Sequence, residues 1–238
     1  MADLAVILGA TGSLGSAVVD VFAKRGDRII AVARSRAAVS ELAAKYPLTP
    51  SSAGGGGQGG GVIGDTADLT SRLAVDDLWE RIDRIGVPRW VVNATGGFRG
   101  GKLVDSAPDD FTFMMDLNLG SAWWSCRAAA RRMQSGAIVN VASRSGLIPQ
   151  PGAAAVAVAK AGVIMLTAVL AAELKASGVR VNAVVPAIID TPANRQSMPE
   201  NLIAKAVAPR EIADVIAYLC SDASDAITGA AIPVYGPF

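Results

Sequence analysis

The sequence predicts an α/β fold: one doubly wound, mostly parallel sheet of seven strands with helices on both faces. Two observations predict it. Short apolar runs rich in β-branched residues alternate along the chain with segments of helical spacing, which is the pattern of a parallel sheet covered on both sides. The chain has 238 residues, of which 51% are hydrophobic and 18% charged. This length and composition suit a single domain over residues 1–238 better than two small ones.

The first elements form a complete βαβ unit. Residues 5–8 are a short apolar run that ends in glycine, and residues 14–25 then show helical spacing. Gly26 and Asp27 stop this helix, and the β-branched run 28–33 follows. Strand, turn, helix and strand are therefore complete within about thirty residues.

Five further strands continue the alternation. Helical spacing occurs between most of them, as the crossover connections of a parallel sheet require. The predicted strands are residues 62–64, 90–93, 137–141, 179–185 and 231–234.

Two long segments differ from this alternation. Residues 47–61 contain GGGGQGGG, which cannot bury apolar area, so we expect a flexible surface loop with no function of its own. Residues 153–176 form the longest helix candidate and are apolar on nearly every face. Together with the helical stretch 111–133, this segment carries more apolar surface than one sheet face can bury. We therefore expect a homodimer or homotetramer, the alternative being a helix covered by its own chain.

Charge and composition exclude several classes of function. A formal net charge of +1 and a pI of about 7.7 lack the basic excess that nucleic acids or anionic membranes select. Charged residues such as Lys160 and Glu173 interrupt every apolar run that approaches the length of a membrane span. The start MADLAVILGA is acidic and has no A-x-A site, so we expect no secretory signal and a cytoplasmic location.

The absence of histidine excludes a His-based triad and most zinc catalysis. Cys126 and Cys220 lie far apart, each within an apolar helical pattern. This placement favours reduced core side chains over a disulfide, and no metal site is expected.

The turn after the first strand carries the first chemical signal. Its glycines permit a tight turn and let a pyrophosphate approach the backbone N–H groups at a helix N-terminus. Because the turn lies between the strand and helix of a βαβ unit, it predicts a dinucleotide-binding Rossmann domain. The predicted cofactor contacts are Gly9, Thr11, Gly12, Ser13, Leu14 and Gly15.

The end of the second strand bears on which dinucleotide is bound. Folds that prefer NAD usually place an acid there for the ribose 2′-OH, whereas this chain has Arg34 and Ser35. A guanidinium and a hydroxyl suit a 2′-phosphate, so NADP(H) is favoured over NAD(H). A solvated loop arginine is the alternative.

Four later segments complete a family pattern. They are NATG at 93–96, MDLNLG with Asn118, VNVASRSG with Ser143, and the long helix with Lys160. With the glycine turn, they resemble the short-chain dehydrogenase/reductase family over essentially the whole chain. The resemblance implies a nicotinamide-dependent oxidoreductase that acts on a small molecule and pairs with other copies through its long helices. GGFRGG and DTPANRQSMP resemble the dihydropteridine reductase branch.

The resemblance also implies roles for individual residues. Asn118, Ser143 and Lys160 stand at the positions of three members of the catalytic tetrad, and Lys160 would also hold the cofactor ribose. Asp65, expected after the third strand, stands where family members contact adenine. The remaining cofactor contacts that the resemblance implies are Asn93, Ala94, Gly96, Pro186, Ile189 and Thr191.

One departure from the family pattern concerns the proton donor. Family members carry Tyr four residues before the catalytic Lys, and this chain has Val156 there. Loss of such a general acid costs about a hundredfold to ten-thousandfold in rate. Tyr46, Tyr218 and Tyr235 are expected in a loop, the last helix and the final strand, with no reason to reach the site.

Three functions remain open at this point. The chain is an NADP-dependent reductase of a small substrate that needs little acid, such as a cyclic iminium, or a binding protein without turnover, or a non-redox isomerase or cyclase. In the reductase, the nitrogen arrives protonated and its charge is lost in the transition state. Phe98 is the candidate aromatic contact to the substrate, and core packing is its alternative role.

Overall fold

The computed structural model describes residues 2–49 and 59–236. Its strands are β1 (Leu4–Leu8), β2 (Arg28–Ala33), β3 (Gly61–Thr66), β4 (Trp90–Asn93), β5 (Gly136–Val141), β6 (Val179–Pro186) and β7 (Ala231–Val234). They form one sheet in the order β3-β2-β1-β4-β5-β6-β7, and each neighbouring pair is parallel. The predicted α/β fold with a single seven-stranded sheet is confirmed, and its strands are wholly rather than mostly parallel.

Helices cover both faces of this sheet. They are α1 (Ser13–Arg25), α2 (Arg36–Ala44), α3 (Arg72–Asp83), α4 (Pro108–Met115), α5 (Ser121–Ala130), α6 (Ala154–Glu173), α7 (Pro192–Ser197), α8 (Glu200–Ile203) and α9 (Pro209–Leu219). Side chains of α1, α2 and α9 build one core against the sheet, and those of α3, α5 and α6 build the other.

Local chemistry sets several helix ends. The hydroxyls of Ser35 and Ser71 accept hydrogen bonds from the backbone N–H groups three residues on, which caps α2 and α3. Gly26 ends α1 in the left-handed conformation, at φ 90°. Pro209 begins α9, where its missing N–H costs no helical hydrogen bond.

The predicted helical stretch 111–133 is divided rather than continuous. A π-helical turn, Asp116–Gly120, separates α4 from α5. The apolar spacing continues through this turn, which explains why the sequence pattern does not reveal it.

Helix α6 is shorter than predicted but as apolar as expected. It ends at Glu173 and a short 3-10 turn, Lys175–Ser177, follows. Val158, Met165 and Val169 leave 46–64% of their surface exposed. By length and composition alone this helix could cross a membrane. Its mean hydropathy is 2.1, even though it contains Lys160. Core helices pass the same test, and α6 packs on β5 and β6.

The glycine-rich segment is described only at its ends. Residues 50–58 lie outside the described residues. Thr49 N–H donates to Gly60 O at 2.9 Å, which joins the two ends. Gly61 is the first residue of β3, so the loop prediction is wrong at that residue. Its backbone pairs in register with Arg28 of β2.

Both cysteines are buried and free. Cys126 lies within α5, whereas Cys220 directly follows the last residue of α9 rather than lying within the helix. Burial raises the pKa of each thiol to about 12. This environment fits the expected reduced core role.

Candidate active site

A cavity of about 240 Å³ lies at the carboxyl ends of β1, β2 and β4. The sheet order reverses between β1 and β4, and ligands of open α/β sheets bind at such a switch point. The lining residues are Gly9, Thr11, Gly12, Ala33, Arg34, Ala67, Asp68, Leu69, Thr70, Ala94, Thr95, Gly96 and Leu117. Six of the predicted cofactor contacts are therefore on its wall.

The glycine turn forms one side of this cavity. Gly9 has φ +82°, and a Cβ there would lie 2.8 Å from Thr95 N. A Cβ on Gly15 would overlap the carbonyl oxygen of Gly9, so the helix can approach the turn only with glycine at this position. Gly12 caps α1 without a side-chain hydrogen bond. The first N–H groups of α1, from Ser13 and Leu14, consequently remain available to an anion.

Two arginines follow β2, but their contacts differ. Arg34 lines the cavity, is exposed, and makes no hydrogen bond or ion pair within the described ranges. Arg36 lies within 3.4 Å of the Thr66 hydroxyl. The Ser35 hydroxyl accepts from Ala38 N at 3.3 Å to cap α2, and Ser35 is not part of the cavity wall. Arg34 is thus the cation that is open to a ligand.

The expectation for Asp65 needs a correction. This residue lies inside β3 rather than after it, and Arg81 binds both carboxylate oxygens at 3.0 Å. It does not line the cavity; Asp68 does. The strand continues past Gly64 because its backbone pairs with β2 as far as Ala33. The segment ADLT, directly after β3, is the sequence signal that would have identified Asp68.

Asn93 is likewise not on the cavity wall. Its side chain is buried, where Nδ2 donates to Asn140 Oδ1 at 2.6 Å and approaches Cys126 Sγ at 3.3 Å. Asn140 in turn donates to the Thr167 hydroxyl. Asn93 therefore joins β4, β5, α5 and α6 in the core. Its neighbours Ala94, Thr95 and Gly96 line the cavity instead. Thr95 was not among the cofactor contacts predicted from the sequence.

Asn118 lies in the π-helical turn and holds the loop after β4. Its Nδ2 donates to Gly97 O and Met114 O, both at 3.1 Å, and its Oδ1 accepts from Gly97 N at 3.2 Å. Both of its donors are thus committed to the backbone. This geometry makes Asn118 a positioning residue for the loop 96–97.

Lys160 is buried beside this loop. Its Nζ donates to Val141 O at 2.7 Å, and a Cβ added to Gly96 would lie 3.2 Å from Nζ and 2.9 Å from Asn118 Oδ1. Burial lowers the pKa of the Lys160 amine to about 8. Lys160 and Asn118 therefore meet at Gly96.

Ser143 follows β5 and lies near the same centre. Gly146 packs against the backbone of Lys160, where a Cβ would lie 2.8 Å from Ala161 N, so this turn is tight against α6. The Ser143 hydroxyl lies 3.0 Å from the Ser145 hydroxyl and also accepts from Ser145 N. Ser143 thus stands two residues beyond Val141, whose carbonyl oxygen accepts a hydrogen bond from Lys160.

Val156 presents an apolar surface one helical turn before Lys160. It is buried with Met114 and Ala153 in a small cluster. Tyr46 donates to Asp20 and Tyr218 to Ala223 O, so both of these hydroxyls are engaged elsewhere. Tyr235 directly follows β7 rather than lying in it, with its ring 5.8 Å from the Arg144 guanidinium.

The segment after β6 lies outside the cavity wall. Pro186 ends β6, and Ile189 forms a parallel bridge with Val207. The Thr191 hydroxyl accepts from Asn194 N at 3.1 Å and caps α7. These three residues lie at the carboxyl edge of the sheet but not around the 240 Å³ cavity.

Phe98 is exposed, so the alternative of core packing is wrong for it. Its ring lies over Gly100, where a Cβ would be 2.8 Å from the ring and 3.3 Å from Gly152 O. Gly101 N donates to Gly152 O at 2.9 Å, which fixes this loop against the start of α6.

Comparison with known proteins gives a consistent set of similarities. A family model described as Enoyl-(Acyl carrier protein) reductase matches residues 9–236. Galactitol 2-dehydrogenase of Rhizobium johnstonii is 33% identical, over 99% of this chain and 95% of its own length. The (3R)-3-hydroxyacyl-CoA dehydrogenase of Canis lupus familiaris is 32% identical, over 98% of this chain and 95% of its own length. A solved structure of a short chain dehydrogenase/reductase family protein has a TM-score of 0.86 at 26% identity. The match covers 98% of this chain and 95% of that chain.

The burial of Lys160 predicts a stability effect that depends on pH. Lys160→Met removes a buried ammonium, so we expect the free energy of unfolding at pH 7 to rise by up to about 3 kcal/mol. The folded pKa lies below the unfolded one, so this cost is fully present below pH 8 and disappears as pH rises toward 10.5. Urea unfolding at pH 7 and pH 10.5 measures it, with exposed Lys175→Met as the control. A gain of the same size at both pH values would contradict this explanation.

Proposed function

The chain belongs to the short-chain dehydrogenase/reductase family, and from this membership we propose an NADP(H)-dependent reductase that acts without a tyrosine acid. Its substrate would be a small cyclic imine or pterin-like molecule. Membership makes the chain an oxidoreductase of this family, whose dehydrogenases use a nicotinamide cofactor. The observation that carries the finer proposal is Val156, an apolar residue beside a retained Lys160.

The residues around the cavity fit a dinucleotide. The N-terminus of α1 has no side-chain cap, and Gly9 and Gly15 leave the turn without side chains where a pyrophosphate would approach. Lys160 would hold the nicotinamide ribose, and Arg34 would pair with a 2′-phosphate. When bound, NADPH supplies the hydride.

A C=N bond suits this site better than a C=O bond. Reduction of a ketone creates an oxyanion that needs a proton, and Val156 has none to donate. Asn118 has both donors engaged with backbone oxygens. A protonated C=N bond instead loses charge as the hydride arrives. The segments around Phe98 and residues 190–199 support the pterin-like class through their resemblance to the dihydropteridine reductase branch.

Cofactor preference tests the role of Arg34. NADPH should bind at least tenfold more tightly than NADH, because Arg34 is open to the extra phosphate and no acid there recognises a free 2′-OH. Fluorescence titration of both cofactors measures this. Arg34→Asp should remove the preference, whereas Arg72→Asp, on the exposed start of α3, should leave it intact. Equal affinities in the parent protein would remove the basis for NADP(H).

Restoring the missing donor tests the C=N proposal. Val156→Tyr should raise ketone reduction by about a hundredfold or more, the usual scale of a general acid. Reduction of a cyclic imine should change little, because its proton does not come from the tyrosine. NADPH oxidation at 340 nm follows both reactions.

The outcome of this experiment also addresses the other functions. A parent protein that binds NADPH but oxidises it with neither substrate, and stays inactive as Val156→Tyr, would overturn the reductase proposal. A binding protein, or a non-redox isomerase or cyclase, would then be the favoured function. Product analysis without NADPH separates these two.

We also propose that the chain forms a homodimer or homotetramer through the faces of α4, α5 and α6. Phe111, Trp123, Val158, Met165 and Val169 are all exposed there. Apolar surface of this kind on neighbouring helices is typical of an interface between copies.

Light scattering tests self-association. The parent protein should have at least twice the single-chain mass of 24.3 kDa at micromolar concentration. Met165→Lys should lower the mass toward that of one chain, because it places a charge in the proposed interface. Leu73→Lys, on the exposed side of α3, is the matched control. A parent protein of single-chain mass would refute the proposal.

A further inference from the structure

The ammonium of Lys160 has no neutralising partner among the described residues. Its Nζ is buried and makes one hydrogen bond, to Val141 O. In the described part of the chain, its other two N–H donors have no partner. A buried cation with open donors is unusual unless ligands complete it. The nicotinamide ribose proposed above would engage one of these donors and would leave the other open to a substrate.

No nearby acid compensates this charge. Burial is the only cause that lowers the pKa of Lys160. The charged residues on α6 and on the elements packed against it are Asp109, Asp110, Asp116, Arg127, Arg144, Glu173, Lys175 and Arg180. None of them shifts the pKa of Lys160. Asp110 pairs with Arg99, and Arg180 binds backbone oxygens of Leu219 and Ser221.

The other groups around Lys160 do not exchange a proton at neutral pH. Val156 and Met114 are apolar, and the amide of Asn118 is committed to the backbone. The Ser143 hydroxyl is paired with that of Ser145. A substrate nitrogen held beside Val156 would therefore have Lys160 as its ionisable neighbour.

We propose that Lys160 and the substrate nitrogen share a single proton, so that the site accepts a neutral, protonatable imine and disfavours a permanently charged iminium. This proposal rests on the reductase function proposed above. Two cations in a desolvated site repel each other strongly, whereas an ammonium and a neutral imine form a hydrogen bond. The specificity therefore concerns the charge of the substrate as it enters.

The proton and electrons balance as follows. The proton moves from Lys160 Nζ to the imine nitrogen, which converts the C=N bond to an iminium. Hydride then adds to the carbon, and the C=N π electrons become the nitrogen lone pair of a neutral amine. Lys160 is left as a neutral amine and regains its proton from solvent. Oxidised cofactor and the amine are the products.

Two small substrates distinguish this proposal from simple iminium reduction. The neutral imine 2-methyl-1-pyrroline can be protonated, whereas 1,2-dimethyl-1-pyrrolinium always carries a charge. At saturating NADPH, kcat/KM for the imine should fall tenfold per pH unit above about pH 8, because Lys160 loses the shared proton. For the charged iminium it should rise tenfold per unit up to about pH 8 and then level off. Equal pH slopes for the two substrates would overturn the proposal.

Lys160→Met provides the matched variant. Lys160 also would hold the cofactor, so the absolute rates fall, but the pH slopes remain interpretable. The slope for the charged iminium should disappear in this variant. Persistence of the parent slope would assign the titration to another group and contradict the proposal.

A measurement without turnover separates failure of this proposal from failure of the reductase function. With ¹³Cε-labelled lysine, the chain's six lysines give separate NMR titrations, and the Lys160 signal is the one missing in Lys160→Met. Added 1,2-dimethyl-1-pyrrolinium should lower the pKa of Lys160 by a unit or more, and 2-methyl-1-pyrroline should not. If neither substrate is reduced but this shift occurs, the reductase function fails and the charge selectivity stands. If reduction occurs without the shift, the shared proton is wrong.

Discussion

The hydrogen bond from Lys160 Nζ to Val141 O is the interaction on which the rest of the site depends. It fixes the long helix α6 to the end of strand β5 and holds an ammonium where water does not solvate it. Two glycines make this possible. A Cβ on Gly96 would crowd Nζ itself, and a Cβ on Gly146 would collide with the backbone of α6 at Lys160. The loops after β4 and β5 can therefore approach Lys160 this closely only because they carry glycine at these two positions.

The π-helical turn complements this arrangement from the other side. It places Asn118 where one amide holds both backbone groups of Gly97 and also a carbonyl of its own helix. The loop after β4 is thereby tied to α4, and through Gly96 it lies against Lys160. The cavity and the centre around Lys160 share this loop through Gly96. A rigid scaffold of this kind is what positions reacting groups.

Much of the fold and part of the site follow from the sequence, and the failures have physical causes. Strands buried on both faces need continuous apolar runs, so β1, β2 and β4 were predictable. The end of β3 was not, because Gly64 interrupts its apolar run while the backbone pairing continues to Thr66. This error put Asp65 forward as the adenine contact, whereas Asp68 is the acid on the cavity wall. The core position of the Asn93 side chain was not predictable, because its motif does not reveal which side of the sheet the side chain occupies.

The departure at Val156 changes what the buried lysine has to do. Val156 and Met114 give apolar surroundings to the point one helical turn before Lys160, where family members carry the tyrosine donor. In the proposed reductase, the charge of Lys160 would then act on the substrate directly, and the low dielectric of the buried site would strengthen its effect. Burying an ammonium lowers the stability of the fold, yet under the proposed function it would place a positive charge beside the reacting C=N bond. In the proposed reaction, the proton given to the imine and the hydride taken from the cofactor would leave one positive charge on the oxidised nicotinamide, so the site would hold a single cation before and after the reaction.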